Sequence, residues 1–220
     1  MTAFPRSPRL LKGGLVLIDP TTAEVQRIIV LQYNPDTLSR TLQVQAIGEG
    51  SDRSEALRLK APPVETIKLD AELDVTDQLE LPEQGQNRVA AELGLHPHLA
   101  ALETILYPSS RQVLDNHRMA QAGMLEIAPM EAPLTLFIWS KTRILPVRVT
   151  DFSVTEEAFD PSLNPIRAKV SLGMRVLNIN DLGFSHKGGN LFMVYFQQKE
   201  QLAAKIAGGG FGTLGIGGIS

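Results

Sequence analysis

Ile67, Leu69, Ala71, Leu73 and Val75 alternate with Lys68, Asp70, Glu72 and Asp74. A period of two sends one row of side chains into a core and the other into water, which predicts a strand. The same alternation runs from Ile166 through Ala168, Val170, Leu172, Met174 and Val176, with Arg167, Lys169, Ser171, Gly173 and Arg175 between them. A strand of that length spans about 36 Å, so it must bend across a barrel or reach beyond its own domain. Arg143 to Phe159 predicts a further long strand. Val147 and Val149 sit on one parity and Phe152 and Val154 on the other, which places a bulge near Asp151. Shorter strands follow from Gly14–Ile18, from the β-branched stretch Val25–Tyr33, from Thr37–Ile47 and from Leu134–Ser140. Turns are marked by Asp19-Pro20-Thr21-Thr22, by Asn34-Pro35-Asp36 and by Asp160 to Pro165.

The period changes between Gln84 and Met119. Leu99, Leu102, Ile105 and Leu106 recur at helical spacing, and Pro97 suits the first turn of that helix. Pro108-Ser109-Ser110 ends it, and Arg111–Ala122 predicts a second short helix closed near Gly123. A last helix is predicted over Leu191–Ala207. The organisation is therefore an N-terminal extension (1–13), a β-rich body (14–180) with a helical insertion at about 84–122, a C-terminal helical extension (181–207) and a glycine-rich tail (208–220). The segment Ile47 to Lys60 is polar and reads as a mobile loop or the arm of a hairpin, costly to order by itself.

Composition narrows the function. Of 220 residues 43% are apolar and 20% charged, which suits a folded chain with a real core. A net charge of −3 offers no electrostatic footprint for nucleic acid. Without cysteine there is no disulfide, thiolate zinc site or thiol nucleophile. The first twelve residues lack the apolar stretch of a signal peptide, and no run is long enough for a spanning helix, so the chain is expected to be soluble and assembled in the cytoplasm.

Candidate chemistry is sparse. Gly210, Gly212 and Gly215 have GxGxxG spacing, but they follow a helix instead of joining a strand to one, so a flexible tail is the better reading. His96 and His98 flank Pro97, while His117 and His186 stand apart, and no four-ligand cluster emerges. Glu156-Glu157 and the pair Asp74 and Asp77 lack a nucleophile to work with and suit a solvated strand face. The apolar start of the last helix, Leu191 to Phe196, lacks the basic face of a membrane-surface helix and is expected to dock on protein. The expectation is no enzymatic activity, no cofactor and no metal.

Three segments carry a resemblance: Val30-Leu31-Gln32-Tyr33-Asn34-Pro35-Asp36-Thr37-Leu38, Glu131-Ala132-Pro133-Leu134-Thr135-Leu136-Phe137, and Val154 to Pro161 running into Asn164-Pro165-Ile166-Arg167-Ala168-Lys169-Val170. In their order and spacing they resemble the tube-protein family of contractile injection systems, phage-tail-like particles, over about residues 14–180. The resemblance implies a mainly β (α+β) tail-tube-like barrel of two packed antiparallel sheets with a helix at the side. It also implies a six-copy ring around a lumen. The Asn-Pro-Asp break is closest to baseplate subunits that start the tube on the central spike, in which a LysM module often follows. After Asp181 this chain has too few residues for that module.

The resulting expectation is a structural ring subunit at the baseplate that initiates the inner tube or adapts it to the spike. Its partners would be itself, the inner-tube protein, the spike or hub protein and other baseplate or sheath components, with no nucleic acid and no membrane insertion. The alternatives are an inner-tube or tube-terminating cap subunit of the same particle and, more remotely, a small-ligand β-barrel or hydrolase. The assembly interface is expected to draw on Tyr33, Asn34, Pro35, Glu49, Asp52, Arg53, Glu55, Arg58, Arg167, Lys169 and Arg175.

Overall fold

The structure, a computed structural model, describes residues 11–20, 22–46, 58–85, 87–123, 132–206 and 208–219. Among these residues seven strands form one antiparallel sheet: β1 (Gly14–Ile18), β2 (Val25–Val30), β3 (Leu38–Ala46), β4 (Leu59–Asp74), β5 (Leu134–Ser140), β6 (Arg143–Phe159) and β7 (Pro165–Val176). Their order across the sheet is β2-β1-β5-β6-β7-β4-β3. Six α-helices among the described residues accompany it: α1 (Thr76–Leu79), α2 (Arg88–Leu93), α3 (His96–Glu103), α4 (Ser110–Gln121), α5 (Ile179–Leu182) and α6 (Lys187–Ala203). The architecture is thus mainly β with a few helices, an α+β fold built on one antiparallel sheet.

The two expected layers are parts of this single hydrogen-bonded sheet. Gln32 lies two residues past the end of β2, about 7 Å of chain. Its side chain nevertheless accepts the Asp74 backbone N–H at 2.8 Å, and Asp74 belongs to β4, five strands away. In a flat sheet that separation would be about 24 Å, so the sheet must curl until its first edge approaches β4.

Register accounts for the core. Leu69 opposes Leu172, Ala71 opposes Val170 and Ile67 opposes Met174, so the alternating rows of β4 and β7 share one face. Across β6 that face continues through Val147, Val149, Phe152 and Val154, and the register shift between Val149 and Asp151 restores the parity. The predicted bulge is therefore what keeps both halves of a 17-residue strand facing inward. Leu15, Phe137 and Leu145 complete the inner face, which α3 covers with Leu99 and Leu102 and α6 with Phe192 and Tyr195. A smaller cluster of Ile18, Leu134 and Leu136 lies on the opposite face, covered by Leu182 and Leu191. Gly94 ends α2 at φ +56°, and its N–H is received by the Ala90 carbonyl. A Cβ there would come within 2.5 Å of the Pro165 oxygen, so glycine lets the α2–α3 turn close onto the start of β7.

Several boundaries differ from expectation: α3 ends at Glu103, before Ile105 and Leu106, and α6 ends at Ala203, before Ala207. The strand expected from Ile67 begins at Leu59 and includes Pro62 and Pro63, because β4 pairs only with β3 until Thr66 meets Arg175. Among the described residues, donors on the other edge of 59–65 have no strand to serve, and proline is tolerated there. Strand β2 stops at Val30, short of Tyr33. Ser109 is not a terminator alone: it is the N-cap of α4, forming a capping box with Gln112. Helix α6 begins four residues before Leu191, at Lys187, because the His186 imidazole Nδ1 accepts the Gly188 N–H at its start.

Candidate assembly surface

The outward row of the central strands is a lattice of opposite charges. Arg167 on β7 meets Asp74 on β4 at 2.9 Å, and Lys169 meets Glu157 on β6 at 3.2 Å. Further along β7 the Ser171 hydroxyl donates to Asp70. Two of these pairs are directly opposite in register, Arg167 with Asp74 and Ser171 with Asp70, while Lys169 faces Thr155 and reaches Glu157 diagonally. Burial raises the Asp74 carboxyl, but the Thr76 hydroxyl and N–H and the Arg167 guanidinium outweigh it, and its pKa is held below the ordinary value. Tyr33, Arg167 and Lys169, three of the expected interface residues, line one cleft of about 290 Å³ with Glu72, Asp74 and Glu157.

The other expected residues have different places. Asn34 accepts the Gly13 N–H at 2.9 Å and donates to the Leu11 carbonyl at 2.8 Å, so its side chain ties the start of the chain to the β2–β3 crossing. Pro35 is half-buried beside it, and Arg58 is exposed just before β4. Arg175 is held within the chain by Asp181 of α5 at 2.7 Å. Glu49, Asp52, Arg53 and Glu55, like most of the segment Ile47 to Lys60, lie outside the described residues.

Two edges flank this face. Among the described residues β2 pairs only with β1 and β3 only with β4, so each has a row of backbone groups without a strand beside it. Both carry exposed apolar side chains: Val25, Ile28 and Val30 on β2, and Leu42 and Val44 on β3. Long edge strands of this kind are templates for pairing with another chain.

One cluster has no counterpart among the sequence-derived candidates. Glu65 on β4 is buried to 3% exposure, yet it is a carboxylate. It receives Arg40 Nε from β3 at 2.7 Å, and Tyr195 Oη at 3.2 Å and Lys199 Nζ at 3.0 Å from α6. Lys199 also lies over the Tyr195 ring, 4.3 Å from its centre. Two cations and a phenol around one carboxylate leave little unmet polarity, which is how a buried charge is tolerated. The signal was present in the sequence: Glu65 has the parity of Ile67 and Leu69, and Tyr195 and Lys199 are four apart on a helix.

The histidines are dispersed, with His96 at the start of α3, His117 bonded to Gln121 and His186 capping α6. Among the described residues no three His, Asp or Glu side chains are grouped to hold a metal ion. No helix among them is long and apolar enough to cross a membrane.

The sequence matches no protein-family model, and no curated protein matches it. Among solved structures, a chain in the tail of an empty gene transfer agent particle with C6 symmetry aligns over 74% of this chain and 90% of its own, at 11% identity and a TM-score of 0.29. A chain in the virion of a native gene transfer agent particle aligns over the same shares at 11% identity and a TM-score of 0.26. Likeness at that level establishes neither a shared fold nor a shared role.

Proposed function

We propose that this chain is a structural subunit of a phage-tail-like contractile injection particle, forming a ring at the baseplate that starts the inner tube or adapts it to the central spike. The observation that carries the reading is the pair of free edges. β2 and β3 differ in sequence and lie at opposite ends of one curled sheet, so each copy offers two unlike edges. Unlike edges pair head to tail, and head-to-tail contacts close into rings when the rotation closes. The polar lattice of β6, β7 and β4 then forms a continuous wall between successive edges. The resemblance in the Asn34-Pro35-Asp36 break and in Asn164 to Val170 supports the particle type, the six-fold count and the baseplate position. On this reading the partners are further copies, the inner-tube protein and the spike or hub protein, and the action is mechanical, without catalysis or cofactor.

Mass photometry and negative-stain imaging of the purified chain test this. Single rings are expected at high concentration, and Ile28→Lys on β2 should leave a folded monomer, since an added lysine on an edge strand disfavours pairing. Long tubes formed by the chain alone would favour an inner-tube subunit instead. A monomer at every concentration, both alone and with tube and spike proteins, would overturn the proposal.

A further inference from the structure

Beyond Thr66, β4 loses its β7 neighbour, and, among the described residues, 59–65 pair with β3 alone. The ends of β3 and β4 therefore leave the seven-stranded sheet as a two-stranded ribbon. Such a ribbon is marginal by itself, and this one is weaker than most. Pro62 and Pro63 donate no hydrogen bonds, and the register shifts twice, between Gln43 and Gln45 and between Gln45 and Ala46. On β3, Thr41 through Val44 are exposed at every position, so neither face of that strand packs on the body.

The buried carboxylate sits at the root of this ribbon. Glu65 is the residue before Thr66, where the pairing with β7 begins, and Arg40 is the last β3 residue before the exposed run. Both are bound to α6: Arg40 Nη2 donates to Tyr195 Oη at 3.0 Å, and Lys199 donates to Glu65. Helix α6 is itself fixed to the body by Phe192 and Tyr195 in the core. We infer that Glu65, Arg40, Tyr195 and Lys199 form a positioning cluster through which α6 fixes the direction and order of the β3–β4 ribbon as it leaves the sheet. The C-terminal helix thus governs an edge strand it does not extend. The cluster deepens the assembly reading, because β3 is one of the two edges that reading pairs.

Hydrogen exchange on the purified, free chain tests the inference without assembly. Tyr195→Phe removes only a hydroxyl, and Lys199→Met only a charge, so both variants should fold. In each, ribbon amides over 41–46 and 59–65 should exchange about tenfold faster, the loss of roughly one charge-assisted hydrogen bond, while β7 amides keep their protection. Lys199→Arg, which retains the charge, should keep wild-type ribbon exchange. Unchanged ribbon exchange, or an equal acceleration in β7, would overturn the inference, as would Lys199→Arg behaving like Lys199→Met. Because exchange is read on the free chain, an absence of rings would sink the assembly reading and leave this result standing.

Discussion

Val170 and Lys169 are adjacent, yet one is fully buried on the inner face and the other points outward at Glu157. Val170→Asp should cost about 3 kcal/mol or more, because an unpaired charge would enter an apolar core. Lys169→Asp replaces one exposed ion pair by repulsion from Glu157 and from Glu72 opposite it, and should cost only about 1 kcal/mol because all three groups face solvent. Urea melts of the two variants measure the difference, and equal midpoints would refute the facing. Glu65 makes a prediction of a different kind. Burial raises its pKa, but hydrogen bonds and charge from Lys199 and then Arg40 outweigh that and hold the carboxyl below its ordinary value. A group depressed in the folded state contributes stability that is present above its unfolded pKa and is lost as pH falls through the folded value. The stability of the wild type should therefore fall away below about pH 4.3, the ordinary glutamate value, and Glu65→Gln should flatten that acid limb. Urea midpoints across pH 2–6 provide the check, with an identical limb in the variant refuting the pairing.

At the scale of elements, α4 and α6 contrast. Helix α4 buries no side chain and is held by its own capping box at Ser109 and by exposed pairs such as Arg118 with Asp115. Ser109→Ala should fray that helix, at a local cost of about 1 kcal/mol, and leave the melt of the sheet unchanged. Far-UV circular dichroism set against tryptophan fluorescence separates the two, since Trp139 lies on β5 beside Phe137. Helix α6 depends on close approach to the α5 turn. A Cβ on Gly189 would lie 1.9 Å from the Gly183 oxygen, an impossible contact. Gly189→Ala should displace α6 and cost about 2 kcal/mol or more. It should also speed ribbon exchange, as loss of Tyr195 and Lys199 from Glu65 would.

Across the whole molecule, the curl of the sheet brings distant segments into register with a function. Gln32 closes on Asp74, Arg27 reaches the Ala101 carbonyl and the Thr104 hydroxyl beyond α3, and both contacts depend on the first edge bending towards the body. Substituting Gln32→Ala removes a side chain that both accepts from and donates to the Asp74 backbone. It should loosen the β2–β3 crossing and weaken ring formation with little change in the core; mass photometry across a dilution series reads that effect.

The alternation in Ile67–Val75 and Ile166–Val176, the parity switch at Asp151 and the helical spacing of Leu99 and Leu102 were legible in the chain because each depends on neighbours a few residues apart. Strand period and helix period are local properties, set by where successive Cβ atoms point. The sequence also identified Arg167 and Lys169 as outward residues, since parity alone places them. Tertiary structure decided the rest. Whether Pro62-Pro63 stood in a strand depended on how far β7 reached, which is a fact about pairing. Arg175 is drawn to Asp181 of α5, a contact that only the fold could set. Glu65 carried the parity of a core residue, but its partners come from β3 and α6, 25 and 130 or more positions away. No local pattern encodes which residues a curled sheet brings together. Periodicity determined the elements and their faces; the single-sheet topology, its two free edges and the buried charge cluster were decided by contacts between segments far apart in the chain.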